Sequence, residues 1–361
     1  FIKNFFKLKM SPDIFIGCGV ASAIAAGFNA PLAGILFAHE AILRHFSLRA
    51  IAPISIASFS ASAFGEYFFG NAPALFELSQ QAPPLNEVLP ILILLGPAFA
   101  IITVCFMISL RAANNFAALN DRHRIFLPFI AALICGSVGV FLPEILGLGI
   151  GAINDLITGN ISLIQVSMLL IAKISMTALC IGFGLFGGIF SPALFIGVSA
   201  GSLAAGFFTA IGYPDLAQII IISGMAAVAA SVIGAPITSV LIVLELTGSY
   251  EYGVAAMVAV IISSLVTYRA FGLSFFDRQL LDRGIDMRQG RESIALSQRL
   301  VTTCEHMDFV KLSAGTTGQK AYQLMKDSGA VESYVIGAAG EYVGKLDIFG
   351  AISASENPVE E

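Results

Sequence analysis

Charged residues are missing from five long stretches of the chain: Ile14 to His39, Val88 to Leu110, Ile174 to Pro214, Leu216 to Leu244 and Tyr252 to Tyr268. A helix needs roughly 18–20 apolar residues to cross the hydrocarbon core of a bilayer, and each stretch is near or above that length. The alternating segments of ~10 residues that build a membrane β-barrel are absent. The pattern predicts an all-α polytopic membrane protein. Pro31, Pro53, Pro90, Pro97, Pro143, Pro192 and Pro236 interrupt the apolar pattern, so broken helices are expected, as in transporter folds built from discontinuous spans.

The pattern changes near residue 270. From Phe271 onward Arg278, Arg283, Arg288, Arg291 and Arg299 are interleaved with Asp277, Asp282, Asp286 and Glu292. Arginine this dense after a last span places that end in the cytoplasm. Arg44, Arg49, Arg122 and Arg124 flank other spans. The expected organisation is a membrane domain over 1–270, a cytoplasmic linker over 271–296 and a small α/β module over 297–361. In that module Thr316 to Met325 reads as a helix with Ala321, Leu324 and Met325 on one face. Ser333–Ile336 and Tyr342–Leu346 read as strands joined by a turn at Ala338–Glu341.

Composition agrees. The chain is 57% hydrophobic and 12% charged, against roughly 25% charged residues in soluble domains. The five cysteines are scattered without CxxC spacing, and four lie in apolar stretches, where small thiols are ordinary packing residues. Enzyme chemistry has no foothold: no Ser/His pair, paired carboxylates or HExxH motif lies within the uncharged spans.

The chain also repeats itself. Gly19 to Glu40, shifted by 205 residues, aligns with Gly224 to Glu245, with seven identities over 22 positions. The matched Ala30-Pro31 and Ala235-Pro236 and the terminal Glu40 and Glu245 are harder to attribute to chance than the apolar matches. An ionisable group at a span end snorkels or caps a neighbouring helix, and both glutamates read as structural.

The segment that carries chemistry is Gly184-Leu185-Phe186-Gly187-Gly188-Ile189-Phe190-Ser191-Pro192. At membrane depth, non-helical backbone is tolerated only where it is buried in protein or lines a polar cavity. Glycines that bare N–H groups just before a new helix make an anion site without a cationic side chain. Pro192 fits the first helical turn, where its missing N–H costs nothing. The alternative is close helix packing through small residues.

These residues resemble the CLC family of chloride channels and chloride/proton exchangers. Gly184-x-x-Gly187-Gly188-Ile189-Phe190-x-Pro192 looks like that family's GxxGGxFxP signature. Phe28-Asn29-Ala30-Pro31-Leu32-Ala33-Gly34-Ile35-Leu36-Phe37 with Glu40, and Gly234-Ala235-Pro236 through Leu244-Glu245-Leu246-Thr247 and Tyr250, are further matches. The resemblance spans residues ~11–295. It implies two inverted helical repeats per subunit, a homodimer with one anion path each, and chloride as the transported ion. It implies that backbone amides of Ile189 and Phe190 bind the anion, that Gly187 and Gly188 let it approach, and that Tyr250 donates its hydroxyl. Tyr252 better fits an interfacial aromatic belt. By the same resemblance, the glycine-rich loop of the first half and a serine ligand loop would lie upstream of Phe1, so the chain is expected to be an N-terminally truncated fragment.

Exchangers of the family commonly carry a proton-relaying glutamate just after the position of Glu40. Here that position is Ala41, which favours a passive channel over an exchanger with a non-standard proton path. His39 titrates near neutral pH and is the other candidate relay; its alternative is interfacial packing. Pro143-Glu144-Ile145-Leu146-Gly147-Leu148-Gly149-Ile150-Gly151 resembles the family's loop between repeat halves. It lacks the strand–helix context and the Lys-Ser/Thr of a phosphate cradle. The tail resembles one CBS module. Such modules bind adenine nucleotides in pairs, and Gly350 stands where a ribose-contacting Asp is common, with Asp347 nearby, so dimerisation or gating competes with nucleotide binding. No metal or nucleic-acid partner is implied; the bilayer of a bacterial plasma membrane is the expected setting.

Overall fold

A computed structural model describes residues 11–70, 78, 82–119, 125–286 and 310–356. Arg122, Arg124, Arg288, Arg291, Glu292, Arg299 and Cys304 lie outside the described residues. The chain divides into two compact units, 1–285 and 286–361.

The first unit is helical. In chain order it contains α1 (Pro12–Phe28), α2 (Pro31–Phe37) continued by a π-helical turn (Ala38–Leu43), α3 (Leu48–Phe69), α4 (Leu85–Leu119), α5 (Leu127–Phe141), α6 (Ile150–Thr158), α7 (Leu163–Gly182), α8 (Phe190–Ala210), α9 (Ala217–Ile233), α10 (Pro236–Thr247), α11 (Tyr250–Phe271) and α12 (Phe275–Asp282). Among the described residues, six helical stretches are long and apolar enough to cross a membrane: Leu48–Phe68, Leu85–Leu119, Leu163–Gly182, Phe190–Ala210, Pro214–Ile233 and Tyr250–Asp282. The protein is a multi-pass membrane protein.

The prolines divide into two groups. Pro31, Pro192 and Pro236 stand in first turns, where no N–H is needed. Pro53, Pro90 and Pro97 do not break their helices as expected; α3 and α4 run through them. Neighbouring groups can re-satisfy the backbone in a membrane helix.

Helix α9 is the centre, buried along nearly its whole length. It meets α8 at backbone distance: a Cβ at Gly197 would fall 2.6 Å from Met225 Cα, and one at Gly201 would fall 2.6 Å from Ile221 Cα. Small residues allow this approach where lipid offers no hydrophobic drive for association.

The repeat seen in the sequence is present in the backbone. Helices α1 and α9, Pro12–Phe28 and Ala217–Ile233, start and end 205 positions apart. Ala30 (φ −126°, ψ 73°) and Ala235 (φ −128°, ψ 70°) have nearly the same conformation before Pro31 and Pro236. Neither alanine can cap the helix it precedes. Each cap comes instead from the other repeat. Leu32 and Ala33 donate to Glu245 Oε1 and Oε2 at 2.8 and 2.7 Å. Ile237 and Thr238 donate to Glu40 Oε1 and Oε2 at 3.1 and 2.8 Å, and the Thr238 hydroxyl adds a bond of 2.6 Å. Contacts exchanged in this way define a pseudo-two-fold relation, and they require α2 and α10 to run antiparallel. Each carboxylate sits where the positive end of a helix dipole and two orphan amides face it.

The last helix of the unit extends beyond residue 270. Asp277 on α12 pairs with Arg44, which closes the π turn in the left-handed conformation (φ 55°). Ser274 caps α12 by accepting from the Asp277 amide at 3.3 Å. The charge pattern there marks a helix packed on the bundle, where a linker was expected.

The second unit is β1 (Val310–Ser313), α13 (Gly318–Ser328), β2 (Glu332–Ile336), β3 (Tyr342–Asp347) and α14 (Ile348–Glu356). β1 and β2 are parallel, with Val310 opposite Ser333, as a crossover through α13 requires. β2 and β3 form an antiparallel hairpin.

Removing a capping carboxylate leaves two amides facing no acceptor, a cost of about 2–3 kcal/mol when the acceptor was charged. Glu245→Ala should therefore lower the denaturation midpoint of the detergent-solubilised protein, and Glu245→Gln, which keeps one acceptor oxygen, should lower it less. Equal midpoints for Glu245→Ala and wild type would show that the cap is energetically idle.

Candidate functional site

The loop before α8 starts at the end of α7. Phe183 and Gly184 turn out of the helix, Gly184 with φ +93°, and Leu185 N–H closes the turn on Cys180 O at 2.9 Å. The chain then runs without regular structure through Gly188 and enters α8 at Phe190, with Ile189 at the N-cap. Among the described residues, the amides of Gly187, Gly188, Ile189 and Phe190 meet no backbone acceptor. Gly187 and Gly188 are exposed, and a Cβ at either meets nothing within 4 Å. Helix packing does not explain these two glycines, as it explains Gly197 and Gly201. They leave open backbone in front of a 21-residue helix.

The Ile189 side chain is buried. The Phe190 ring makes edge contacts with Phe28 at 5.3 Å and Phe37 at 5.6 Å between centroids. These rings flank α2, so the start of α8 in one repeat leans on the capped helix of the other.

The first turn of α8 is tied to the loop over 143–149. Ser191 Oγ donates to Leu148 O at 3.1 Å. Gly149 (φ +70°) lies so close to Phe195 of α8 that a Cβ would fall 2.8 Å from the ring. The same loop holds a group the sequence reading passed over. Lys173 of α7 is 3% exposed. Its ammonium donates to Ile145 O at 2.7 Å and Gly147 O at 3.2 Å, and it stands 4.7 Å from the centre of the Phe195 ring. Among the described residues no carboxylate pairs with it. The loop presents carbonyls to a cation, the reverse of a phosphate cradle. An ionisable side chain buried at membrane depth is expensive and is kept where it acts. The loop thus combines a helix N-terminus, amides without a backbone acceptor among the described residues, and a lysine packed on Phe195 of the same helix. Helix starts with open amides are places where N–H groups can stand in for an anion's water.

Tyr250 stands at the first position of α11 and is 72% exposed, whereas Tyr252 is 2% exposed. Tyr252 is packed in the core, where an interfacial position was expected, and Tyr250 leaves its ring open at the start of α11. No bond or ring contact joins Tyr250 to Phe190. Ala41 lies within the π-helical turn and packs against the main core.

With this geometry in view, the chain belongs to the voltage gated chloride channel family, whose sequence model matches residues 2–268. It is 33% identical over 279 residues to an H(+)/Cl(-) exchange transporter ClcA from Vibrio vulnificus (strain YJ016), covering 75% of this chain and 59% of that protein. A ClcA from Yersinia pestis bv. Antiqua (strain Angola) is 29% identical over 312 residues, covering 83% and 65%. The chain spans about three fifths of the length of the first of these relatives. Its fold matches a slow cyanobacterial Cl-/H+ antiporter with a TM-score of 0.68, 22% identity and coverage of 82% and 69%. A CLC-type fluoride/proton antiporter follows with 0.59, 23% identity, and 74% and 65%.

A unit charge in the protein interior near a bound anion, at an effective dielectric constant of about 20, contributes on the order of 1 kcal/mol. Lys173→Met should therefore weaken chloride binding, measured by calorimetric titration, by about tenfold, and Lys173→Arg should recover most of it. Unchanged binding in Lys173→Met would remove the lysine from the site.

Proposed function

We propose that the protein exchanges chloride for protons across a bacterial plasma membrane. One observation carries the reading: relatives about one third identical are named H(+)/Cl(-) exchange transporters. Ala41 favoured a passive channel, but these relatives favour the exchanger. Ala41 then means that the proton group stands elsewhere.

In this reading chloride is held at the start of α8 by the Ile189 and Phe190 amides. Gly187 and Gly188 admit it, and Lys173 raises its local concentration. Binding by amide dipoles is weak enough for release, which turnover requires. Tyr250, exposed at the start of α11, is the hydroxyl donor of this reading. The homodimer follows from the family resemblance. In the second unit the order β1-α13-β2-β3-α14 supports a CBS-like module. Asp347 Oδ1 accepts from the Gly350 amide at 2.6 Å, so it serves as a cap for α14, and contact or gating is the role we assign to the module.

The test is the reversal potential of proteoliposomes at fixed chloride with an imposed pH gradient. Exchange predicts that it shifts with the pH gradient. A potential that follows chloride alone returns the protein to the channels.

A further inference from the structure

Coupled exchange needs a side chain at membrane depth that takes up a proton and gives it back. The described residues of the first unit offer few such groups. Glu40 and Glu245 are committed as helix caps, and protonating either would remove the charge and weaken one of the two bonds that its amides make. Lys173 is committed to two carbonyls. His39 differs. It is 1% exposed, and its two ring nitrogens have unequal surroundings. Nδ1 lies 3.1 Å from His45 O, an acceptor only, so Nδ1 carries the hydrogen. Nε2 is buried and has no hydrogen-bond partner, which leaves a basic lone pair facing no donor. A buried polar atom without a partner costs about 1–3 kcal/mol, and such exceptions call for an explanation.

We infer that His39 is the proton-carrying residue of the exchange proposed above, on which this inference rests, and that Nε2 is the atom that binds the proton. Water on one side supplies H+ to Nε2, the neutral imidazole becomes an imidazolium, and the same N–H bond breaks when the proton passes on. No oxidant or further reactant is involved. Three features of the surroundings suit a ring that alternates in charge. The Phe46 ring stacks on it at 5.4 Å with planes 13° apart, a face that attracts a cation. Phe46 is itself 60% exposed, so His39 lies one side-chain layer below the surface. The residue stands in the π-helical turn Ala38–Leu43, a local geometry frequent at functional sites.

The charged and titratable groups around it are known. Glu40 follows on the same turn, its carboxylate engaged by the start of α10. Arg44 closes the turn and is paired with Asp277 of α12. His45 supplies the carbonyl. Helix α1, packed against the turn, carries Asp13 and Cys18, of which Cys18 packs near Ala38 and Leu43.

The experiment measures chloride efflux and proton movement together in proteoliposomes of wild type, His39→Asn and His39→Glu. Asn can still donate to the His45 carbonyl but does not titrate. We expect His39→Asn to keep chloride efflux within about threefold of wild type and to lose proton movement by at least tenfold. His39→Glu should keep proton movement, with its pH dependence displaced to lower pH, because a carboxyl releases its proton at lower pH than an imidazole. Proton movement at the wild-type ratio in His39→Asn overturns the inference. So does an equal fall in both fluxes, the mark of a structural role. If His39→Asn does not fold, an unchanged pH profile in His39→Glu overturns it. Wild type without proton movement fails the exchange reading first, and this inference with it.

Discussion

Helix starts that carry no cap of their own dictate much of this structure. At α2 and α10 the residue before the proline is alanine, which has no atom to offer the next amides. In a membrane helix those amides demand an acceptor. The chain meets the demand by having each repeat supply a glutamate to the other, so neither repeat is complete alone. The two caps fix the spacing and antiparallel direction of α2 and α10. They also set where the Phe28 and Phe37 rings meet Phe190 of α8.

Helix α8 begins under the same constraint but resolves it differently. Its start, Ile189-Phe190-Ser191-Pro192, also lacks a capping side chain, yet no carboxylate reaches it among the described residues. In its place stand two open glycines and, packed on Phe195 of the same helix, the buried Lys173. The electrostatic sign explains the difference in use. A glutamate at α2 and α10 neutralises the positive helix end and makes it structural. On the function proposed above, a lysine near α8 adds to the positive end and leaves it wanting an anion. The site is a helix N-terminus that the fold declines to cap.

Much of this was legible in the sequence, for reasons that vary by residue. The 205-residue repeat and the pairing of Glu40 with Glu245 showed because proline, alanine and glutamate are rare coincidences in an apolar alignment. Their capping role followed from charge at a span end. The reciprocity did not, since a one-dimensional pattern cannot say which helix a carboxylate reaches. Lys173 was hidden because a lysine at the edge of an uncharged stretch ordinarily snorkels to the interface; only the carbonyls of Ile145 and Gly147 reveal that it turns inward. The burial of Tyr252 was not legible because two residues at a helix start differ by roughly 200° of rotation, and the buried face depends on α10. The prolines of α4 were read by a rule for soluble helices that membrane helices relax.

The π-helical turn shows why neighbours in sequence can have separate duties. Residues i and i+1 on a regular helix point about 100° apart, and in Ala38–Leu43 the wider winding re-aims the side chains that follow. Glu40 reaches outward to the start of α10, while His39 is folded back under Phe46 and against the His45 carbonyl. A carboxylate with every oxygen engaged is a poor proton carrier, because each protonation would loosen the joint between the repeats. An imidazole bonded through one nitrogen can take a proton on the other without disturbing that bond. If His39 carries the proton as inferred above, the same short segment holds a permanent charge that ties the repeats together and, beside it, a reversible one, and the separation would let the proton move while the frame stays closed.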